Sequence, residues 1–179
     1  HPTITEDEVA ESRKAESQAA AQILGCDISF IGLQDHYMEL SKAEIMRLAK
    51  EIRMFQPDIV LTHSAYDPFN PDHDITHKAV LAALRSANVI GTFPDIPKTK
   101  QVEIFCFEPD QPDISGFMAD VFIDISDVWD IKHNAMEAVR SQAFMVQTYG
   151  LRAEFRGTLS TRFKSGVNRA EFFKRITPY

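Results

Sequence analysis

The chain is short of the residues that staple or anchor a protein. Among 179 residues there are only two cysteines, Cys26 and Cys106. Both sit in apolar, strand-like stretches. Two are too few for a disulfide scaffold, so a reducing, cytosolic setting is expected. No apolar run approaches the roughly 20 residues that a membrane helix needs. Positive charge is also scarce: 26 acidic residues against 19 basic ones give a net charge of −7. That balance argues against the basic face of a nucleic-acid binder and against a polybasic membrane-surface module. No internal repeat, low-complexity tract or Gly/Ser linker divides the sequence. It opens at His1 without an initiator Met and without a visible signal peptide, so a segment upstream of His1 is expected. With 44% hydrophobic and 25% charged residues, the remainder reads as one folded domain.

Helices and strands alternate. Glu6 to Leu24 is rich in Glu, Ala, Lys and Gln, with Gly25 as its stop. Ala19, Ala20, Ile23 and Leu24 form its expected core side. A strand is expected over 27–31, then a loop over 32–40 holding Asp35 and His36. Ser41 and Glu44 have the spacing of a capping box. Behind them Ile45, Leu48, Ala49, Ile52 and Phe55 recur at helical intervals up to Pro57. The unalternating run 58–62 predicts a central parallel strand covered on both faces. A helix carrying Ala79, Val80, Ala83 and Leu84 follows a polar loop, and 94–99 is a turn. Strands are expected over 102–107 and 121–125, and a helix capped by Ser126 over 127–142. A helical piece around 149–155 and a late strand over 170–176 complete the pattern. Strands separated by helices imply right-handed crossovers and a mostly parallel sheet. In such sheets ligands bind beyond the carboxyl ends of the strands.

The loop after Thr62 occupies that position. Residues 62–77 hold three of the six histidines, His63, His73 and His77, with Asp67, Asn70, Asp72 and Asp74. These are the residue types of metal ligands, general acids and bases, and oxyanion donors. His73 and His77 lie one turn apart on one helix face. The same residues also suit a polar capping loop, with Asp72 as N-cap, Pro68 and Pro71 as turn-formers and His63 a satisfied polar residue. Asp67 either orients a histidine ring or caps a turn.

Asn70-Pro71-Asp72-His73 with His77, after Thr62-His63-Ser64 and Asp67, resembles the PIG-L/LmbE family of zinc-dependent de-N-acetylases and related enzymes. Arg13-x-x-Glu16-x-x-x-Ala20 ending in Leu24-Gly25, the Leu33–Asp35 segment, and Ser141-Gln142 after Lys132 resemble further family segments. The resemblance implies a three-layer α/β/α, Rossmann-like sandwich and Zn²⁺ or another divalent metal. His73 matches a metal ligand. Asn70 stands where many deacetylases carry a second His, Asp72 and His77 complete the catalytic set, and Arg13 and Asp35 match substrate contacts. The family's first strand ends in a His-Pro-Asp-Asp-type motif that supplies two more ligands and the general base. His1-Pro2 is followed by Thr3 and Ile4, not by acids, so the first strand or strands are expected upstream.

A narrower resemblance is to the 4-oxalomesaconate hydratase branch of that family. It is carried by Phe107-Glu108-Pro109-x-Gln111-Pro112, Phe122-x-Asp124-Ile125 and Val128-Trp129-Asp130-x-Lys132. Glu108 either points into the site or anchors a turn. Trp129 reads as a core anchor, His36 and His133 as surface residues, and His77 also as a helix-packing residue. De-N-acetylation of an amino-sugar-type substrate is the first reading, and hydration of an unsaturated keto-dicarboxylate the alternative. A non-catalytic remnant or partner subunit is the reading of another class. A small-molecule substrate is expected, with no nucleic acid and no membrane as partners. The resemblance implies a homo-oligomer.

Overall fold

The computed structural model describes residues 5–33 and 38–176. The fold is mixed α/β. Its helices are α1 (Glu6–Leu24), α2 (Lys42–Phe55), α3 (Pro71–Asn88), the short α4 (Pro112–Ser115), α5 (Trp129–Ala138) and α6 (Ala143–Ser160). The strands are β1 (Ile59–Thr62), β2 (Glu103–Phe107), β3 (Val121–Asp124) and β4 (Ala170–Ile176), in the order β1-β2-β4-β3. β1 pairs parallel to β2, with Thr62 opposite Cys106. β4 pairs antiparallel to β2, with Phe107 opposite Phe173, so the expectation of a mostly parallel sheet holds on one side of β2 only. No described helix is long and apolar enough to cross a membrane.

The chain divides into two compact units. One contains β1, β2, α2, α3 and α4. Ser41 caps α2 by accepting from the Glu44 N–H, and Glu44 bonds back to the Ser41 N–H. This is the expected box, which satisfies two otherwise orphaned donors. The core between α2 and α3 is built on three fully buried alanines, Ala49, Ala83 and Ala87, surrounded by Ile45, Leu48, Ile52 and Phe93. Small side chains let the two helices approach closely, so the periodic stripe is buried as expected up to Ile52. Phe55 departs from it and lies on the surface. β1 was expected at the sheet's centre. Among the described residues it is the end strand of the sheet, with Ile59 and Leu61 each 56% exposed. Its apolar run meets a hydrogen-bonded neighbour only on the β2 side among the described residues.

Arg53 is the main polar anchor of this unit. It is 2% exposed, and its guanidinium donates to four backbone carbonyls: Ala87 at 2.7 Å, Phe93 at 2.9 Å, Ile96 at 2.8 Å, and Val89. These carbonyls close α3 and the turn that follows. One planar, permanently charged fork thus caps a helix end and folds a loop.

The other unit contains α1, α5 and α6. Thr5 and Glu8 form a second capping box at the start of α1, unforeseen in the sequence. Gly25 closes the helix at φ 68°, a conformation that glycine adopts without steric cost. α1 packs on α5 through Ala21, which is buried, whereas Ile23 and Leu24 are exposed. The expected helix 127–142 is broken: a 3-10 turn at Ser126–Val128, α5, and a second 3-10 turn at Arg140–Gln142 replace it. Asp124 fixes the first turn by accepting from the Ser126 N–H and hydroxyl. Trp129 is held between the Arg169 guanidinium, 4.5 Å from the ring, and the stacked ring of His133. In α6, which outruns its expected 149–155 span, a Cβ on Gly157 would collide with the Asn168 carbonyl. The strand expected over 27–31 has no ladder partner among the described residues and is irregular, with Ile28 and Phe30 exposed.

Replacing Arg53 by Met keeps the stem and leaves four carbonyls without their donor. Urea unfolding is expected to show a loss of about 3 kcal/mol or more. A loss below about 1 kcal/mol would show that the anchor is dispensable.

Candidate functional site

The site lies at the carboxyl end of β1, in the loop leading to the first turn of α3. Asp67 organises the loop. Its N–H donates to the Asp74 carboxylate at 2.6 Å. Its Oδ1 accepts from the Phe69 N–H at 3.1 Å, an Asx-type turn. Its Oδ2 accepts from His73 Nδ1 at 2.8 Å. The Asp67 side chain is 2% exposed and that of His73 27%. A buried carboxylate is secure only when paired and hydrogen-bonded, and all of these contacts are local.

Asn70, rather than Asp72, caps α3. Its Oδ1 accepts from the Asp72 N–H at 3.1 Å, and Pro71 takes the first helical position, where its missing N–H costs nothing. With the oxygen committed to the cap, the Nδ2 group faces His73 Nε2 at 3.1 Å. The two neighbours therefore dictate the histidine tautomer. Asp67 is an acceptor, so Nδ1 carries the proton. Asn70 is a donor, so Nε2 presents its lone pair.

His63 lies flat against His73, with ring centroids 4.2 Å apart and planes 26° from parallel. The Phe107 ring meets His63 edge-on at 4.6 Å. Burial, reinforced by the charge His73 can carry, pushes His63 down to about 4, so it is neutral near neutral pH. Its Nδ1 and the Thr62 hydroxyl are buried without hydrogen-bond partners among the described residues. His77 is 7% exposed, and its Nδ1 donates to the His63 carbonyl at 2.8 Å. Cys106 lies 3.6 Å from the same nitrogen, its thiol pushed up to about 11 by burial and so protonated. Ser64 ties β1 to β2 through the Phe107 carbonyl at 3.1 Å.

The structure brings Asn70 and His73 together. Asp72 accepts from the Met38 N–H at 3.1 Å, which gives its carboxylate a backbone to hold. His77 supports the His63 backbone from beneath. Glu108 directly follows Phe107 and is half-buried. Arg13 is exposed on α1, in the other unit, where the Gln142 amide oxygen, once turned to face it, accepts from its guanidinium at 2.8 and 3.1 Å. Glu16 accepts from the Ser141 N–H and hydroxyl. Asp35, His36 and the His1-Pro2 pair lie outside the described residues. Sequence reading undervalued His63, whose signal was its place at the carboxyl end of a strand entering the polar loop.

A tetrahedral catalytic metal site usually takes three protein ligands. His73 has the make-up of one, because a carboxylate on Nδ1 fixes the tautomer and orients the ring. His63 does not qualify as a second, since the in-plane lone pairs of two nearly parallel stacked rings do not converge on one ion. Among the described residues no group of three His, Cys, Asp or Glu side chains is placed to hold a metal. The residues present fit a metal through one ligand.

Comparison with known proteins gives the site its context. The profile of the family PIG-L: GlcNAc-PI de-N-acetylase matches residues 1–84. The chain is 34% identical over 159 residues to the 4-oxalmesaconate hydratase of Pseudomonas putida, a match covering 89% of this chain and 62% of that protein. It is 31% identical over 118 residues to a probable N-acetyl-alpha-D-glucosaminyl L-malate deacetylase 2 of Bacillus subtilis, covering 65% of this chain and 50% of that one. The crystal structure of GalB, the 4-carboxy-2-hydroxymuconate hydratase of P. putida, superposes with a TM-score of 0.95 at 32% identity, over 100% of this chain and 77% of that one. This chain thus spans about three-fifths of the curated hydratase.

Asp67→Asn tests the tautomer argument. Phe69 N–H still needs an oxygen acceptor, so the new NH₂ group falls opposite His73 Nδ1. With an NH₂ group now opposite Nδ1 and the Asn70 NH₂ still opposite Nε2, the ring is expected to lose its single fixed tautomer, seen as averaged or doubled ¹⁵N shifts. A ring that stays protonated on Nδ1 would contradict the arrangement.

Proposed function

This chain belongs to the PIG-L family, and on that footing we propose that it is a hydratase, adding water across a conjugated C=C bond of a small unsaturated keto-dicarboxylate. The likeness to hydratases carries this reading: it extends over 89% of the chain in sequence and all of it in structure. Deacetylation, the first reading from sequence, is supported by the family profile and by a relative covering less of the chain. The Asn70 amide, where many deacetylases are expected to carry His, donates one hydrogen bond and moves no proton. That suits holding a carboxylate or keto oxygen.

Enzymes of this family generally use a metal ion. We assign His73 as one of its ligands through Nε2, with Zn²⁺ as the ion. When bound, it supplies an activated water or a polarised carbonyl. The chain's own residues then have distinct tasks. Asp67 keeps the Nδ1 proton and thereby the direction of the Nε2 lone pair. Asn70 donates to that lone pair at 3.1 Å, so a metal at Nε2 takes the place of this bond and frees the Asn70 amide for a substrate oxygen. Glu108 and Asp35 are proposed substrate contacts, and Asp72 and His77 hold the loop from either side. The partner is a small anionic molecule, and assembly into a homo-oligomer is part of the same proposal.

Two assays separate the readings. With zinc supplied, an unsaturated keto-dicarboxylate is expected to lose its conjugated ultraviolet absorbance, while an N-acetylated amino sugar releases no acetate. Acetate release without hydration would overturn the proposal in favour of deacetylation. His73→Ala is expected to abolish metal retention and at least 99% of activity while circular dichroism stays unchanged. Activity near the normal level would remove the ligand assignment.

A further inference from the structure

Three contacts define the plane of the His73 ring. Asp67 holds one edge at 2.8 Å and Asn70 the other at 3.1 Å. Those two bonds and the Cβ–Cγ bond place the ring, but hydrogen bonds bend easily, so the ring can still tilt through small angles. The third contact blocks that tilt: the flat face of His63, 4.2 Å away and 26° from parallel. His63 is itself braced. The Phe107 ring abuts it at 4.6 Å, its carbonyl accepts from His77, and its neighbour Ser64 is tied to the Phe107 carbonyl. The brace therefore runs from β2 and α3 through His63 to His73. Among the described residues His63 Nδ1 is buried with no hydrogen-bond partner, so its ring is held there by packing.

We propose that His63 is a positioning residue for His73, acting through its ring face to hold the Nε2 lone pair of His73 in a fixed direction. The contact is aromatic packing, so a flat ring at position 63 is required and a ring nitrogen is not. The effect on metal affinity rests on the assignment of His73 as a ligand. The effect on the His73 ring does not.

The test uses the intact protein with His63→Ala, His63→Leu, His63→Phe and His73→Ala, with zinc alone as the probe. Zinc affinity is read by chelator competition, the His73 ring by its ¹⁵N resonances, and folding by the thermal midpoint. Partners that orient a metal-ligating histidine typically contribute about 10- to 100-fold in affinity. His63→Ala and His63→Leu are expected to lose about that much zinc affinity and to broaden or split the His73 resonances. His63→Phe is expected to restore both to within a few-fold of the natural protein. Unchanged affinity and a single sharp His73 tautomer in folded His63→Ala would overturn the proposal. So would a folded His63→Phe as weak as His63→Ala, because the nitrogen and not the ring face would then matter. If His73→Ala leaves zinc affinity unaltered, the ligand assignment fails. The ¹⁵N resonances of His63→Ala then decide the positioning role alone: broadening sustains it and a single sharp set refutes it.

Discussion

The buried carboxylate of Asp67 holds the candidate site together. It stands at 2% exposure among its hydrogen-bond donors, and each contact fixes a different part of the loop. The Phe69 N–H sets the turn, His73 Nδ1 sets the ring, and the Asp67 N–H ties the loop to Asp74 on α3. A charge in that setting cannot lose a donor cheaply. The loop, the helix start and the histidine are thus one cooperative object, and the direction of the His73 lone pair follows from a carboxylate six residues earlier in the sequence.

Asn70 performs two tasks because an amide has two ends. Its oxygen closes the first turn of α3 and its NH₂ meets His73. An aspartate here would cap as well but would turn an acceptor toward the Nε2 lone pair. Histidine would supply a charge and a transferable proton, but not this pairing of cap and donor in one group. Asn at this position donates a hydrogen bond and moves no proton. The remaining support is apolar or backbone in nature: Phe107 beside His63, the protonated Cys106 beneath His77, and the parallel pairing of β1 with β2 that brings their carboxyl ends level.

Much of this was legible in the sequence where local chemistry decides structure. The helix 6–24 with its Gly25 stop, the Ser41–Glu44 box and the strand 170–176 appear as expected, since caps and periodicity are encoded within a few residues. The failures are those of partner identity. The run 58–62 reads as a central strand, and among the described residues β1 pairs with β2 alone, because an apolar run records a preference for burial and not which neighbour supplies it. Strand-like 27–31 has no ladder partner among the described residues and is irregular there. Asp72 looked like the cap of α3, but Pro71 at the first helical position moves the cap to Asn70. In the site, His73 and Asn70 were singled out by the resemblance of Asn70-Pro71-Asp72-His73 to the family's motif. His63 was passed over because stacking against a residue ten positions away leaves no trace in composition, and Asp67 was undecided because a turn anchor and a ring-orienting partner look alike until the geometry shows it to be both.

The central claim is that this loop delivers His73 to a metal through Nε2. A crystal structure of the intact protein with zinc, with diffraction recorded on both sides of the zinc absorption edge, tests it most directly. An anomalous peak about 2.0–2.1 Å from His73 Nε2, with Nδ1 still on Asp67, is the expected result. A peak away from His73, or an ion bound through Nδ1 with the Asp67 bond broken, would contradict the account.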